Sequence, residues 1–221
     1  MSHAGQATLG IVLAGGGSTR LGPLAEATGG GKASLELHGR TFLGHVLAAV
    51  TPEVGRTIVV AAPGQRLPAV GGAAIVRDTV PGAGPLSGVC DGMRSAVAAA
   101  RPGEPPGLVF VASCDVPLLR RQVVRLLVDV ATAADAVWTV PIVGGHRQVL
   151  VSVMRVDILP RIEAWLAAGR RDLRGLLTTL AQDDPRHVRE VTEAELATVD
   201  PALESFVDID TPDDLQRLQS R

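Results

Sequence analysis

Short apolar runs bounded by glycine, proline and charged residues recur along the chain at Gly10–Ala14, Thr57–Ala61, Ala74–Val76, Leu108–Ala112 and Ala136–Val140. Their length and β-branched content predict strands. Between them, helical patterning covers about Thr41–Val50, Pro85–Ala100 and Arg121–Thr132, with Thr41 suited to an N-cap and Pro85 to a first helical turn. Strands alternating with helices point to an α/β fold: a mainly parallel central sheet covered on both faces, in three α/β/α layers. The later part is more mixed. Gln148–Met154 reads as a strand, Val156–Ala168 and Leu173–Leu180 as helices, and His187–Val191 and Ser205–Ile209 as short strands.

The first strand empties into Leu13-Ala14-Gly15-Gly16-Gly17-Ser18-Thr19-Arg20-Leu21-Gly22, and a Gly-rich stretch continues to Lys32. Consecutive glycines let backbone N–H groups turn toward an anion, and Arg20 and Lys32 add fixed positive charge suited to phosphate oxygens. A tight turn with two solvated cations is the plainer alternative. Neither common phosphate motif fits. Glu26 and Ala33 break the P-loop pattern around Gly31-Lys32, and Arg20 stands where a dinucleotide-binding fingerprint needs its third glycine.

Three further stretches carry candidate chemistry. Asp78-Thr79-Val80-Pro81-Gly82-Ala83-Gly84-Pro85 links a strand to a helix, where glycines permit close approach of a flat base or ribose. A turn with a helix cap would read the same way. Asp115 lies just past the C-terminal end of the strand Leu108–Ala112, where open parallel sheets place their ligand crevice. A carboxylate there suits Mg²⁺, which shares ligands with phosphates. Its bland alternative is the cap of a helix near Leu118. In Phe206-Val207-Asp208-Ile209-Asp210-Thr211-Pro212-Asp213-Asp214, strand alternation puts Asp208 and Asp210 on one face, while Thr211, Pro212, Asp213 and Asp214 suit a helix start.

Taken together, Leu13-Ala14-Gly15-Gly16, Arg20-Leu21-Gly22 and a following lysine resemble the signature L-A-G-G-x-x-x-R-[LM]-G…K of nucleotidyltransferases with the glycosyltransferase-A-like, nucleotide-diphospho-sugar transferase fold. Within that group the chain most resembles molybdenum cofactor guanylyltransferases, almost end to end. The family's D-x-x-P-G-x-G-P-L-x-G matches Asp78–Gly88, and its (C/S)-D-x-P-x-[LI] matches Cys114–Leu119. The resemblance implies nucleotide contacts from Leu13, Ala14, Gly15, Gly16, Gly17, Arg20, Lys32, Asp78 and Gly84, with Arg20, Lys32 and Asp115 as the catalytic set. It implies Mg²⁺ on Asp115 with Asp208 or Asp210. Gly144–Leu150 resembles the family's turn before the acceptor side, with Val149 in place of proline. On that pattern Arg147, Gln148 and the basic segment containing Arg171 would meet an anionic acceptor. The implied substrates are a nucleoside triphosphate, GTP favoured, and a molybdopterin-type acceptor.

Three departures touch nucleotide handling. Gly31-Lys32 replaces the usual D-K, the insert before Lys32 is long, and Ala62-Pro63 stands where the family carries a polar residue, often Asn. A cytidylyltransferase or another small-molecule guanylyltransferase therefore stays open beside GTP transfer, as does a non-catalytic nucleotide-binding protein on the same scaffold. Composition narrows the classes. Net charge is -2, aromatics are 2% and Tyr is absent, which leaves no basic, aromatic surface for nucleic acid. Met1–Ala7 has neither the basic nor the apolar region of a signal peptide. No apolar run approaches the ~18 residues of a membrane span. Cys90 and Cys114 read as reduced thiols of a cytoplasmic protein. The expected organisation is a single nucleotidyltransferase domain over residues 1–221, with its nucleotide-binding part at about 8–120 and its acceptor-binding part at about 121–221.

Overall fold

The structure, a computed structural model, describes residues 8–15, 21, 28–80, 82–100 and 107–219. Gly16, Gly17 and Arg20 lie outside the described residues. The chain enters on β1 (Thr8–Leu13). A 3-10 turn at Gly31–Ser34 then leads into a small hairpin of β2 (Glu36–Leu37) and β3 (Arg40–Thr41). Thr41 caps α1 (Phe42–Val50) by accepting the Gly44 N–H at 3.1 Å. After it come β4 (Arg56–Ala61), β5 (Ala74–Arg77), α2 (Pro85–Ala98), β6 (Leu108–Ser113) and α3 (Arg121–Ala133). The rest is β7 (Trp138–Val143), β8 (His146–Arg147), β9 (Val151–Arg155), α4 (Leu159–Ala167), α5 (Leu173–Asp183), β10 (Val188–Val191), α6 (Glu193–Ala197) and α7 (Pro212–Gln219).

Among the described residues, one sheet runs in the order β10-β7-β9-β6-β1-β4-β5, with β8 paired to β7. The β10–β7, β6–β1, β1–β4 and β4–β5 pairs are parallel, and β9 runs against both β6 and β7. Register aligns Leu13 with Val60 and Ser113, and Ala61 with Arg77. The strands therefore stop together, and the residues that follow them line up along one carboxyl edge.

Alternation along each strand divides the core. Val12, Val59 and Phe110 pack with Val46 of α1 and Val124 and Leu127 of α3 on one face. Ile11, Val60 and Val111 pack with Val89 and Met93 of α2, Ile162 of α4 and Leu177 of α5 on the other. These residues are essentially inaccessible, and each such side chain contributes about 1.5–3 kcal/mol on burial. A third cluster seats α7 on the small hairpin: Ile209, Leu215 and Leu218 close over Leu35, Leu37 and Phe42. This contact carries the C-terminal aspartates to the lysine segment.

Two expected elements change. Val156–Ile158 forms a 3-10 turn, so the predicted Val156–Ala168 helix begins instead at Leu159, with proline in its first turn. The expected strand Ser205–Ile209 is absent. Glu204–Phe206 is a 3-10 turn entered from Leu203 at φ 53°, and residues 207–210 pair with no strand. Local hydrogen bonding wins over alternation here. The buried Asp200 carboxylate accepts the Ser205 N–H at 2.8 Å, and Ser205 Oγ accepts the Arg120 N–H at 3.0 Å. Asp208 and Asp210 thus flank the buried Ile209 on an unpaired arm rather than sharing the face of a strand.

Candidate active site

A cleft of about 660 Å³ opens along the carboxyl edge, lined by Gly15, Gln65, Asp78, Gly84 and Asp115 among others. Its floor follows from the register. Ala14 and Gly15 both donate to Val60 O, Cys114 N donates to Leu13 O at 3.0 Å, and Asp78 N donates to Ala61 O at 2.9 Å. The turn after β1, the turn after β4, the loop after β5 and Asp115 after β6 thus stand side by side. Leu13 also lines the cleft, and Ala14 is buried beneath it.

The loop after β5 is pinned rather than loose. Asp91, buried on α2, accepts the Thr79 N–H at 2.8 Å and the Thr79 hydroxyl at 3.0 Å. Gly84 then begins α2 at φ 84° and ψ 175°, a conformation essentially reserved for glycine. Asp78 is packed between glycines. A Cβ at Gly15 would lie 3.2 Å from its Oδ2, and one at Gly88 would lie 3.3 Å from its Oδ1. That Oδ1 is buried without a hydrogen-bond partner among the described residues. Burial, and next the neighbouring Asp91, raise the Asp78 carboxyl above the ordinary range. A buried acceptor facing a cleft with no partner of its own is suited to a donor carried by a ligand.

A smaller, more apolar pocket of about 280 Å³ adjoins the cleft, walled by Val116, Val149, Leu150 and Leu173, with Gln148, Arg174 and Asp208 at its polar points. Pro85, Asp115 and Leu150 line both spaces. Asp115 therefore stands where the two meet. The alternative reading of Asp115 as a helix cap fails, because the next helix, α3, begins only at Arg121 with Arg120 as its N-cap.

The unpaired C-terminal arm is laced to this junction: Ile209 N donates to Asp115 O at 2.9 Å. Asp208 is exposed at the mouth. Its carboxyl is nonetheless pushed up to about 6 by the protein around it and then by Asp115 and Asp210, with Lys32 and Arg174 opposing. Asp210 forms an ion pair with the Lys32 ammonium. Among the described residues no group of three or more ligating side chains stands close enough to hold a metal alone. A hard divalent cation that shares its shell with phosphates needs only one or two carboxylates, and Asp115 with Asp208 fits that requirement. The negative charge that raises Asp208 is what such a cation would relieve. Cys114 is buried and its thiol is pushed up to about 12, by burial first and Asp115 next, so it serves packing.

The residues expected on the acceptor side separate. Gln148 lines the apolar pocket. Arg147 is instead paired with Glu190 of β10, its Nε donating at 2.7 Å. Arg171 lines a neighbouring pocket between α2 and α4, and its carbonyl faces Gly84. Arg174, three residues on, lines the apolar pocket. The signal for it was helical: in α5 it lies one position past the buried Leu173. Gln65 and Asp91 were also missed. A polar residue just beyond the strand end Ala61, and a carboxylate inside an otherwise apolar helix face, were the clues.

Known proteins bear on this arrangement. The MobA-like NTP transferase domain matches residues 10–186. A probable molybdenum cofactor guanylyltransferase from Mycobacterium avium is 37% identical over 169 residues, covering 76% of this chain and 79% of that protein. The crystal structure of molybdopterin-guanine dinucleotide biosynthesis protein A from Archaeoglobus fulgidus superposes with a TM-score of 0.73 at 21% identity, covering 96% of this chain and 97% of the other. A Mycobacterium tuberculosis protein solved in complex with manganese shares the fold at a TM-score of 0.63 and 19% identity, covering 97% and 99% of the two chains. On the match over residues 10–186 and the 37% identity to that relative, this chain belongs to the MobA-like NTP transferase family of nucleotidyltransferases.

Proposed function

We propose that the protein transfers GMP from GTP to molybdopterin, giving molybdopterin guanine dinucleotide and pyrophosphate. The observation that carries this reading is a two-part cleft with one carboxylate, Asp115, at the junction of its parts. The reaction joins two molecules, each needing its own space, and their reacting atoms must meet where the spaces touch. The larger part takes the nucleotide, with Asp78 receiving a donor from the base or ribose and Lys32, oriented by Asp210, serving the phosphates. The smaller part suits a flat heterocycle between Val149, Leu150 and Leu173, with Arg174 rather than Arg171 placed for the acceptor's charge. Gly16, Gly17 and Arg20 complete the phosphate loop on the family's pattern. Residues of about 8–120 form the nucleotide part and those of about 121–221 the acceptor part of a single domain, Asp115 belonging to the first by sequence and touching both.

The acceptor phosphate oxygen bonds to the α-phosphorus while the bond to the β-phosphate oxygen breaks, so pyrophosphate departs in line. The acceptor phosphate is already ionised at neutral pH, so no side-chain nucleophile takes part. Positioning and charge do the rest. Asp115 and Asp208 would hold Mg²⁺, which when bound supplies charge neutralisation at the phosphates. No helix among the described residues is long and apolar enough to cross a membrane, and the buried free thiols Cys90 and Cys114 suit a reducing cytoplasm.

Incubation with molybdopterin, Mg²⁺ and each of GTP, CTP, ATP and UTP, with products read by mass spectrometry, tests the reading. The guanine dinucleotide is expected. A cytosine dinucleotide alone would move the enzyme to the cytidylyltransferases, and nucleotide binding with no dinucleotide from any base would make it a binder.

A further inference from the structure

Gln65 lines the nucleotide cleft and spends its whole side-chain amide on backbone. Its Oε1 accepts the Ala62 N–H at 3.0 Å, and its Nε2 donates to Ala14 O at 2.9 Å and to Gly30 O at 2.8 Å. The amide's orientation is fixed by its partners, since one is a donor and two are acceptors. The three partners belong to three separate stretches: the turn after β4, the glycine loop after β1, and the residue that opens the 3-10 turn containing Lys32.

Its own placement is built in. Ala62-Pro63-Gly64-Gln65 forms a tight turn closed by Gln65 N to Ala62 O at 3.2 Å, with proline second and Gly64 third at φ 72°. Arg77 holds the turn from outside, donating to Ala62 O at 3.1 Å and to Gln65 O at 2.9 Å. The turn folds the Gln65 amide back over Ala62. The Lys32 segment comes close enough that a Cβ at Gly30 would lie 2.7 Å from Arg66 O.

We propose that Gln65 is a positioning residue for nucleotide binding, tying Ala14 at the end of β1 to the turn that carries Lys32 so that the two stretches border one nucleotide site. Without this amide, Ala14 and Gly30 lose the partner they share, and the Lys32 ammonium is paired with Asp210, for which a bound triphosphate would compete. This rests on the nucleotidyltransferase reading and names a residue that determines how well its donor site is formed.

The test is titration calorimetry of GTP with Mg²⁺ into wild type, Gln65→Ala, Lys32→Ala and the double variant, with circular dichroism to confirm folding. Gln65→Ala is expected to raise the GTP Kd about tenfold or more in the wild-type background, and by much less once Lys32 is gone, because the two act as one unit. The acceptor KM is expected to stay put. If Gln65→Ala disturbs folding, Gln65→Met keeps the length without the hydrogen bonds and carries the same expectation. Unchanged GTP affinity in a folded Gln65 variant, or effects of Gln65 and Lys32 that multiply fully, would overturn the positioning role alone. A wild-type protein that binds no GTP would overturn the functional reading and this one with it.

Discussion

Asp78 shows how a single side chain can serve a ligand at the expense of the fold. Its Oδ1 is buried without a partner among the described residues, and Gly15 and Gly88 leave just enough room for the carboxylate. Burial first, and Asp91 next, raise its pKa above the unfolded value. The folded protein therefore holds this proton more tightly than the unfolded chain, and through the window just above the ordinary carboxylate value it binds more protons. Stability contributed by this group accordingly falls as pH rises through that window. Asp78→Asn is expected to remove that slope. Urea unfolding at about pH 4 should find little difference from wild type, and at about pH 7 the variant should be the more stable of the two. GTP binding by the same variant should weaken. A variant whose stability follows the wild-type pH dependence throughout would show that Asp78 is not the strained group.

The C-terminal arm is the element that completes the junction, and it is held from both ends. On one side Asp200 and Ser205 fix the 3-10 turn before it, and on the other α7 packs on the small hairpin. At the start of α7 the Thr211 and Asp214 groups cap each other, Asp214 N donating to Thr211 Oγ1 at 3.2 Å and Thr211 N donating to Asp214 Oδ2 at 2.9 Å. Asp213 and Asp214 therefore belong to the helix start, while Asp208 lines the smaller pocket and Asp210 pairs with Lys32. Ile209, fully buried between the latter two, is the hinge pin. Ile209→Ala is expected to cost about 2–5 kcal/mol by urea unfolding. It should also raise the Mg²⁺ concentration needed for half-maximal transfer, because Asp208 would no longer be held beside Asp115. A stability loss with no change in metal dependence would separate the arm from the metal.

Across the molecule, the fold was legible wherever one local rule acted alone. The apolar runs at β1, β4 and β6 are buried on both faces and read as strands without ambiguity, and their common register then places Ala14, Ala62, Asp78 and Asp115 along one edge. That Asp78 and Asp115 line the cleft was legible because each follows the end of a strand in a parallel sheet. Ser205–Ile209 misled because alternation does not reveal that Asp200 and Arg120 claim its hydrogen bonds. Gln65 was hidden because its importance depends on three backbone partners distant in sequence, up to 51 residues away. Arg171 and Arg174 show the same limit: the basic run was visible, but only the turn of α5 decides which arginine lines the smaller, apolar pocket.

In the proposed reaction Asp115 stands at the point where an α-phosphate changes partners. The most direct measurement follows label from GTP carrying radioactive phosphorus at the α position, with molybdopterin and Mg²⁺, using wild type and Asp115→Asn. The label is expected to enter the dinucleotide while unlabelled pyrophosphate forms in equal amount. Asp115→Asn, folded like wild type, is expected to lose about a hundredfold or more of that transfer. Label that never leaves guanine nucleotides in the presence of acceptor, or transfer by Asp115→Asn near the wild-type rate, would contradict this reading.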